Sequence, residues 1–296
     1  MLSRPGSSGG ANILFRAIGL LRVLLPECRI RVSHPQKIQK PKVGCRVQQV
    51  AASAWSPASD RKIYIVWIGV VWAAILAGFG MDFARYLGEA PTPPPLILHA
   101  HAAVFVLWLG LVTLQILWIE MGKFRLHKQL GWLTVAVSVL MVPLGLAAAL
   151  VDQVRQVAHP DYAPQFLALE FEEMITFSVF MAAGVIFRKN PAAHKRLMLL
   201  SAVAISDAGF ARIWLMGIKA EIPGLFGWWL QYFWGIFLIL VAMGAWDLWR
   251  RRRIHPAVLF GAALLWTGEI IATLLNFSPG WREAMVRLVN AWGYAG

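Results

Sequence analysis

The stretch LHAHAAVFVLWLGLVTLQILWI, from Leu98 to Ile119, decides the fold. Apart from two histidines, one threonine and one glutamine it contains only apolar or glycine residues. A helix rises about 1.5 Å per residue, so a run of about 20 such residues crosses the hydrocarbon core of a bilayer. Outward from this stretch the pattern repeats. Seven apolar runs are predicted to span, at 63–81, 98–119, 130–151, 167–187, 197–218, 226–246 and 257–275. The connectors hold the expected helix breakers. Pro91 and Pro93 to Pro95 precede the second run, Pro160 and Pro164 the fourth, Pro191 the fifth, Pro223-Gly224 the sixth and Pro256 the seventh. The predicted fold is all-α, a polytopic transmembrane helix bundle of about seven spans.

Composition agrees. Of 296 residues 58% are hydrophobic and 15% charged, with a formal net charge of +13. Soluble domains are about half apolar and about a quarter charged, so an ordinary soluble enzyme, a disordered chain and a disulfide scaffold are all excluded. Residues 1–60 stand apart, with a net +7 and a Pro/Ser-rich, aperiodic sequence. Three readings fit that extension: a basic amphipathic helix on anionic lipid, an Arg-rich targeting segment, or a translation start placed too far upstream. Cys28 and Cys45 both fall there, so the apolar body offers no thiolates for iron–sulfur or Cys-zinc sites. The domain division is therefore an extension over 1–60, a membrane domain over 61–276 and a short interfacial tail on the outer side over 277–296.

Charge also orients the bundle. Thirteen Lys and Arg residues at 61–62, 123–128, 188–196 and 250–253 fall on one side, against five on the other: Arg85, Arg155, Lys219, Arg282 and Arg287. Cytoplasmic loops carry the excess of Lys and Arg, which places the N-terminus inside and the C-terminus outside. Trp118, Trp132, Trp246, Trp249 and Trp281 sit near predicted span ends, as interfacial anchors do. The expected setting is the lipid bilayer of a bacterial inner membrane. Basic residues at cytoplasmic loops explain the charge of the body, and no nucleic-acid partner is expected.

Ionisable groups at membrane depth are costly and mark functional sites. In the outer half these are His99 and His101, then Glu170, Glu172 and Glu173, then Asp207 with Arg212 further out, and Glu269. Residues two apart on a helix point in opposed directions, so His99 and His101 cannot both face the bundle. The His101 face continues through Phe105, Trp108 and Gln115, which makes His101 the inward residue. Glu170 and Glu173 share a face, and Glu172 is expected to point elsewhere. One divalent metal ion held by His101, Glu173 and Asp207 is chemically reasonable, because imidazole and carboxylate together suit zinc, iron or manganese. The plainer reading leaves the span-end groups among lipid headgroups and pairs Asp207 with Arg212. Apart from Gly209 and Gly244, no broken-helix signature is visible.

The inner side carries a short repeat. His127-Lys128-Gln129-Leu130 opens the third span, His194-Lys195-Arg196-Leu197 opens the fifth, and His255-Pro256 opens the seventh. His127 and His194 form a candidate pair of axial ligands to a b-type haem, with Arg125, Lys128 and Arg196 available to its propionates. Against this stands interfacial histidine beside basic residues at a headgroup layer.

These motifs, HAH at 99–101, HKQLGW at 127–132, HKRLMLL at 194–200 and HPA at 255–257, resemble those of a family of largely uncharacterised bacterial multi-span membrane proteins. The likeness covers about residues 60–292 and implies a membrane fold in which these histidines matter, with no reaction attached. In a looser way the chain is similar to ascorbate-reducible transmembrane cytochromes b. In those, histidines on four successive helices bind one haem near each face. That similarity implies a haem at His127 and His194, while the fourth span here offers glutamates in place of a histidine.

Three function classes follow. The first is a redox or electron-transfer component that binds haem or interacts with quinone. The second is a metal-dependent membrane hydrolase acting on a lipid. The third is a non-enzymatic accessory subunit of a membrane complex, or a small-solute carrier. Phosphate-binding loops, dinucleotide fingerprints, nucleophile elbows and H-E-x-x-H motifs are absent from the sequence.

Overall fold

The computed structural model describes residues 61–88, 94–159 and 162–295. The extension over 1–60, with Cys28 and Cys45, lies outside the described residues, as do Pro91, Pro93 and Pro160. Among the described residues there are helices and no strands. In chain order they are α1 (Arg61–Gly88), α2 (Leu96–Glu120), α3 (Phe124–Gln156), a 3-10 turn (Pro164–Phe166), α4 (Leu167–Ile186), α5 (Pro191–Ala204) and α6 (Asp207–Arg212). A π-helical turn (Ile213–Ile218) extends α6, and α7 (Gly224–Arg251), α8 (Pro256–Asn276) and α9 (Pro279–Ala295) follow.

Six stretches are long and apolar enough to cross a membrane: Lys62–Phe83, Leu96–Glu120, Phe124–Gln156, Pro191–Ile218, Gly224–Arg251 and Pro256–Asn276. The remaining predicted span is α4. It has 20 residues, but Glu170, Glu172 and Glu173 occupy its first two turns. It packs against α3, α5 and α8. The chain is thus a multi-pass helical membrane protein. Its apolar surface is what such a protein presents to lipid: Leu76, Val139 and Ile175 are each more than 60% exposed.

Lipid tails are as apolar as leucine, so burial drives little helix association in a bilayer, and close packing and polar contacts carry it instead. Trp108, Phe177, Phe180 and Phe233 fill the centre. At the crossing of α1 and α6, a Cβ added to Gly209 would stand 2.6 Å from the Ala74 carbonyl oxygen, and one added to Gly78 would stand 2.2 Å from the Gly209 oxygen. Only glycine at both positions allows that approach.

The fifth predicted span is not one continuous α-helix. α5 ends at Ala204, the chain turns at Ile205 and Ser206, and α6 begins at Asp207. The Ser206 hydroxyl donates to the Val203 carbonyl at 2.6 Å, and the Asp207 carboxylate accepts from the Ala208 N–H at 2.7 Å. Short polar side chains that bond to their own backbone compete with the helical ladder, which is why the break falls here. The sequence pattern predicts one continuous span over 197–218, with Gly209 beside Asp207 as the local exception, and the break falls just before it.

On the inner side α5, α7 and α8 are locked together by Asp247. Its carboxylate accepts from Arg196 at 2.6 and 3.3 Å, from Arg251 at 3.5 Å and from the His255 main-chain N–H at 3.1 Å. His255 in turn caps α8, its Nδ1 accepting the Ala257 N–H at 3.0 Å. Burial and the nearby Arg196, Lys195, Arg251 and Arg253 cations push the His255 pKa down to about 3, so the ring is a neutral structural cap at physiological pH. On the outer side, α9 packs against the end of α3 and the 3-10 turn. Met285 and Val289 are buried against Ala149, Leu150 and Leu167, while Arg282, Glu283 and Arg287 are exposed.

Candidate functional site

Two polar constellations lie inside the bundle, one toward each end. The inner one begins at the turn between α2 and α3, where Gly122 takes a φ of 72°. Gln115, near the end of α2, is buried and reaches across the hairpin. Its amide nitrogen donates to His127 Nδ1 at 2.6 Å and to the His127 carbonyl at 3.0 Å, and its oxygen accepts the Gly131 N–H at 3.2 Å. His194 stands in the first turn of α5, whose start is set by Asn190 capping the Ala193 N–H at 3.3 Å and by Pro191. His194 Nδ1 lies 2.8 Å from the Gly184 carbonyl oxygen. A carbonyl only accepts, so Nδ1 carries the proton there.

The two imidazoles meet. Their centroids are 6.1 Å apart and their planes are inclined at 74°. Each ring has its Nδ1 committed to a neighbour, which leaves Nε2 as the remaining nitrogen on both. Both histidines belong to helices: α3 and α5 start well before the apolar runs, at Phe124 and Pro191. Arg125 and Lys128 are exposed beside His127. Arg196 is not beside them, because its guanidinium is 2% exposed and spent on Asp247.

The outer constellation is built from α4, α6 and α8. The Glu173 and Asp207 carboxyls are neighbours, each within the electrostatic reach of the other. Asp207 is the centre of the group: Glu170, Glu172, Glu173 and Glu269 all lie within its electrostatic reach. Glu172, expected to point elsewhere, therefore also turns inward. Gly268 makes room for it, since a Cβ there would stand 2.5 Å from Glu172 Oε1. Glu269 is fully buried and accepts the Trp229 indole N–H at 3.0 Å.

His101 faces inward and His99 is exposed, as the helical spacing predicts. The His101 ring lies 4.1 Å from that of Phe105, and it feels the Arg212 charge. Arg212 bonds to Asp82 at 3.1 Å rather than forming a simple pair with Asp207. Asp82, 2% exposed on α1, was not singled out from sequence, because it falls just past a predicted span end where a charge is unremarkable. Trp229 was likewise missed, as one tryptophan among 15. Of the residues proposed to hold a metal, Glu173 and Asp207 are electrostatic neighbours, and the Arg212 charge reaches both Asp207 and His101. Among the described residues, no group of three His, Cys, Asp or Glu side chains is arranged to hold a metal ion.

One face of α2 connects the two constellations. His101, Trp108 and Gln115 lie along it, and 14 residues of helix put its ends about 21 Å apart. The fold and these sites define a multi-pass membrane protein with a histidine pair toward one end and a carboxyl cluster toward the other. No protein-family model, curated protein or solved structure matches the chain.

Proposed function

We propose that the protein is a redox component of a bacterial inner membrane, holding one b-type haem between His127 and His194 near the cytoplasmic face. The observation that carries this reading is the 6.1 Å separation of the two ring centroids. At that separation both imidazoles would reach one metal centre, since metal–imidazole bonds are about 2 Å long. The hydrogen bond from His194 Nδ1 to Gly184 supports it further, because a histidine ligand is normally oriented by donating its other N–H to a carbonyl. A haem so placed would supply one-electron oxidation and reduction.

The chain's own residues set the conditions. Ligation through His127 Nε2 requires the proton on Nδ1, and hence the Gln115 amide turned so that its oxygen faces that ring. Turning it gives up the bonds to the His127 carbonyl and the Gly131 N–H, so Gln115 selects between two tautomers of His127. Exposed Arg125 and Lys128 supply positive charge for propionates, and Arg196 does not contribute. A quinone dissolved in the bilayer is the expected electron partner.

The test is an absorption spectrum of detergent-purified protein, before and after haem reconstitution, together with metal analysis. We expect a Soret band that His127→Ala and His194→Ala each abolish and that Gln115→Leu weakens. No band in either condition overturns the reading. Bound transition metal without haem, lost in Glu173→Ala, would favour the hydrolase. Stable co-purification with other subunits and neither cofactor would favour an accessory role.

A further inference from the structure

The inner end of α7 carries a cluster that neither constellation uses. Trp246 and Trp249 meet edge to face, with ring centroids 5.3 Å apart. The Arg250 guanidinium lies over both rings, 5.8 Å from the first and 5.7 Å from the second. Stacking of this kind holds a guanidinium in place and leaves the N–H groups on its rim open to an oxyanion. Among the described residues Arg250 makes no ion pair. The chain then leaves the helix. Arg252 takes a φ of 59°, its N–H on the Leu248 carbonyl at 2.8 Å. Arg252 and Arg253 both stand exposed on the turn into α8.

No acid answers this patch. On the inner side the described residues include two acids, Glu120 and Asp247. Asp247 is enclosed and already shared by Arg196, Arg251 and the His255 N–H. Glu120 ends α2, which packs on α1 and α3. Three exposed arginines therefore gather at one helix end, with one of them fixed on two tryptophans.

The surface beside the patch says what it binds. Leu238, Val241, Ala245 and Leu248 recur every three or four residues along α7, and all four are exposed. They form one apolar strip that continues into Trp249. Ten residues of helix make the strip about 15 Å long, half of a hydrocarbon core about 30 Å thick and so the depth of one leaflet. Trp249, 68% exposed, stands at the boundary, where an amphipathic indole is favoured. A soluble anion could use the arginines but gains nothing from the strip. An amphiphile with an anionic head uses both. The other stacked guanidinium on this side, Arg188 over Trp132 at 5.9 Å, spends a nitrogen on the Val185 carbonyl at 3.1 Å.

We propose that the inner end of α7 is a binding site for an anionic phospholipid. Its phosphate sits against Arg250, Arg252 and Arg253 add positive charge from the turn, and one acyl chain lies along the strip from Leu248 to Leu238. Charge selects the acidic headgroup, and the strip selects a lipid over a free anion.

The experiment titrates the full-length protein in detergent with phosphatidylglycerol, and separately with phosphatidylcholine of identical chains, and reads the first binding event by native mass spectrometry. We expect phosphatidylglycerol to bind more tightly. Arg250→Gln should cut that preference by about fivefold, the contribution of one basic residue at a headgroup layer. Trp249→Leu should weaken it as well, whereas Lys189→Gln, which removes another exposed cation on the same side, should leave it. The wild-type comparison decides the matter even where a variant fails to fold. Equal binding of the two lipids overturns the proposal. So does an equal loss in Lys189→Gln and Arg250→Gln, which would mark general attraction to a basic surface. Displacement of the lipid by inorganic phosphate alone would assign the arginines to a soluble anion and also overturn it.

Discussion

Replacing Asp247 by asparagine keeps its shape and removes its charge, and the surrounding geometry says how much that should cost. The carboxylate neutralises two guanidinium groups, Arg196 at 2% exposure and Arg251 at 4%, and it also accepts the His255 N–H. Removing one partner of a buried ion pair costs about 3–5 kcal/mol, because the other charge stays buried without compensation. For a domain of this size about 1 kcal/mol corresponds to about 2–4 °C, so Asp247→Asn should lower the unfolding temperature by about 10 °C. The double variant Arg196→Met with Asp247→Leu removes the Arg196–Asp247 pair, leaves Arg251, and should recover part of that loss. Recovery stays partial because the His255 N–H loses its Asp247 acceptor, at about 1–3 kcal/mol, and Arg251 loses the same carboxylate. Thermal unfolding of detergent-solubilised protein, followed by size-exclusion chromatography, reads all three proteins. If Asp247→Asn melts within about 2 °C of wild type, or if the double variant is less stable than the single, the ion cluster is not the lock described.

Three further outcomes are expected. Below its unfolded-state pKa of 6.5, His255 binds a proton more readily in the unfolded chain than in the folded one, where its pKa lies at about 3. Its contribution is therefore complete above about pH 6.5 and lost as pH falls toward 3, at about 1.4 kcal/mol per pH unit. Denaturation at graded pH should show that slope, and His255→Asn should flatten it. Gly209→Val should destabilise by at least about 1–3 kcal/mol, because its Cβ meets the α1 backbone. Gly69→Ala, with nothing within 4 Å of its Cβ, is the matched control and should melt like wild type. Trp229→Phe takes the indole donor from buried Glu269 and should cost about 1–3 kcal/mol, read by the same melting assay.

How far the site could be read in advance differs between its two halves. His127 and His194 were legible because a local repeat, H-K-x-L, recurs at the starts of two helices. Gln115 was placed on the right face of α2 by the helical period alone. Its bond to His127 depends on the turn at Gly122, which folds α3 back along α2. Arg196 looked like a propionate ligand, since its neighbours in sequence are loop cations. Asp247, 51 residues later, claims it instead. Glu172 was assigned outward by its angle to Glu173, and the nearby glycine on α8 admits it inward. Asp82 and Trp229 carry no local signal at all.

By itself the amino-acid sequence determined a chain of membrane-crossing helices, their approximate limits and their orientation. Those follow from the length of apolar runs and the placement of Lys and Arg, and both are local quantities that a bilayer reads one segment at a time. Only the tertiary structure decided that α5 and α6 are separate helices, that four glutamates from α4 and α8 lie within electrostatic reach of Asp207 on α6, and that Asp247 holds three helices at the other end. A polar group in hydrocarbon must find its partner within the protein, and which partner it reaches is set by how the helices cross, not by how far apart the residues stand along the chain.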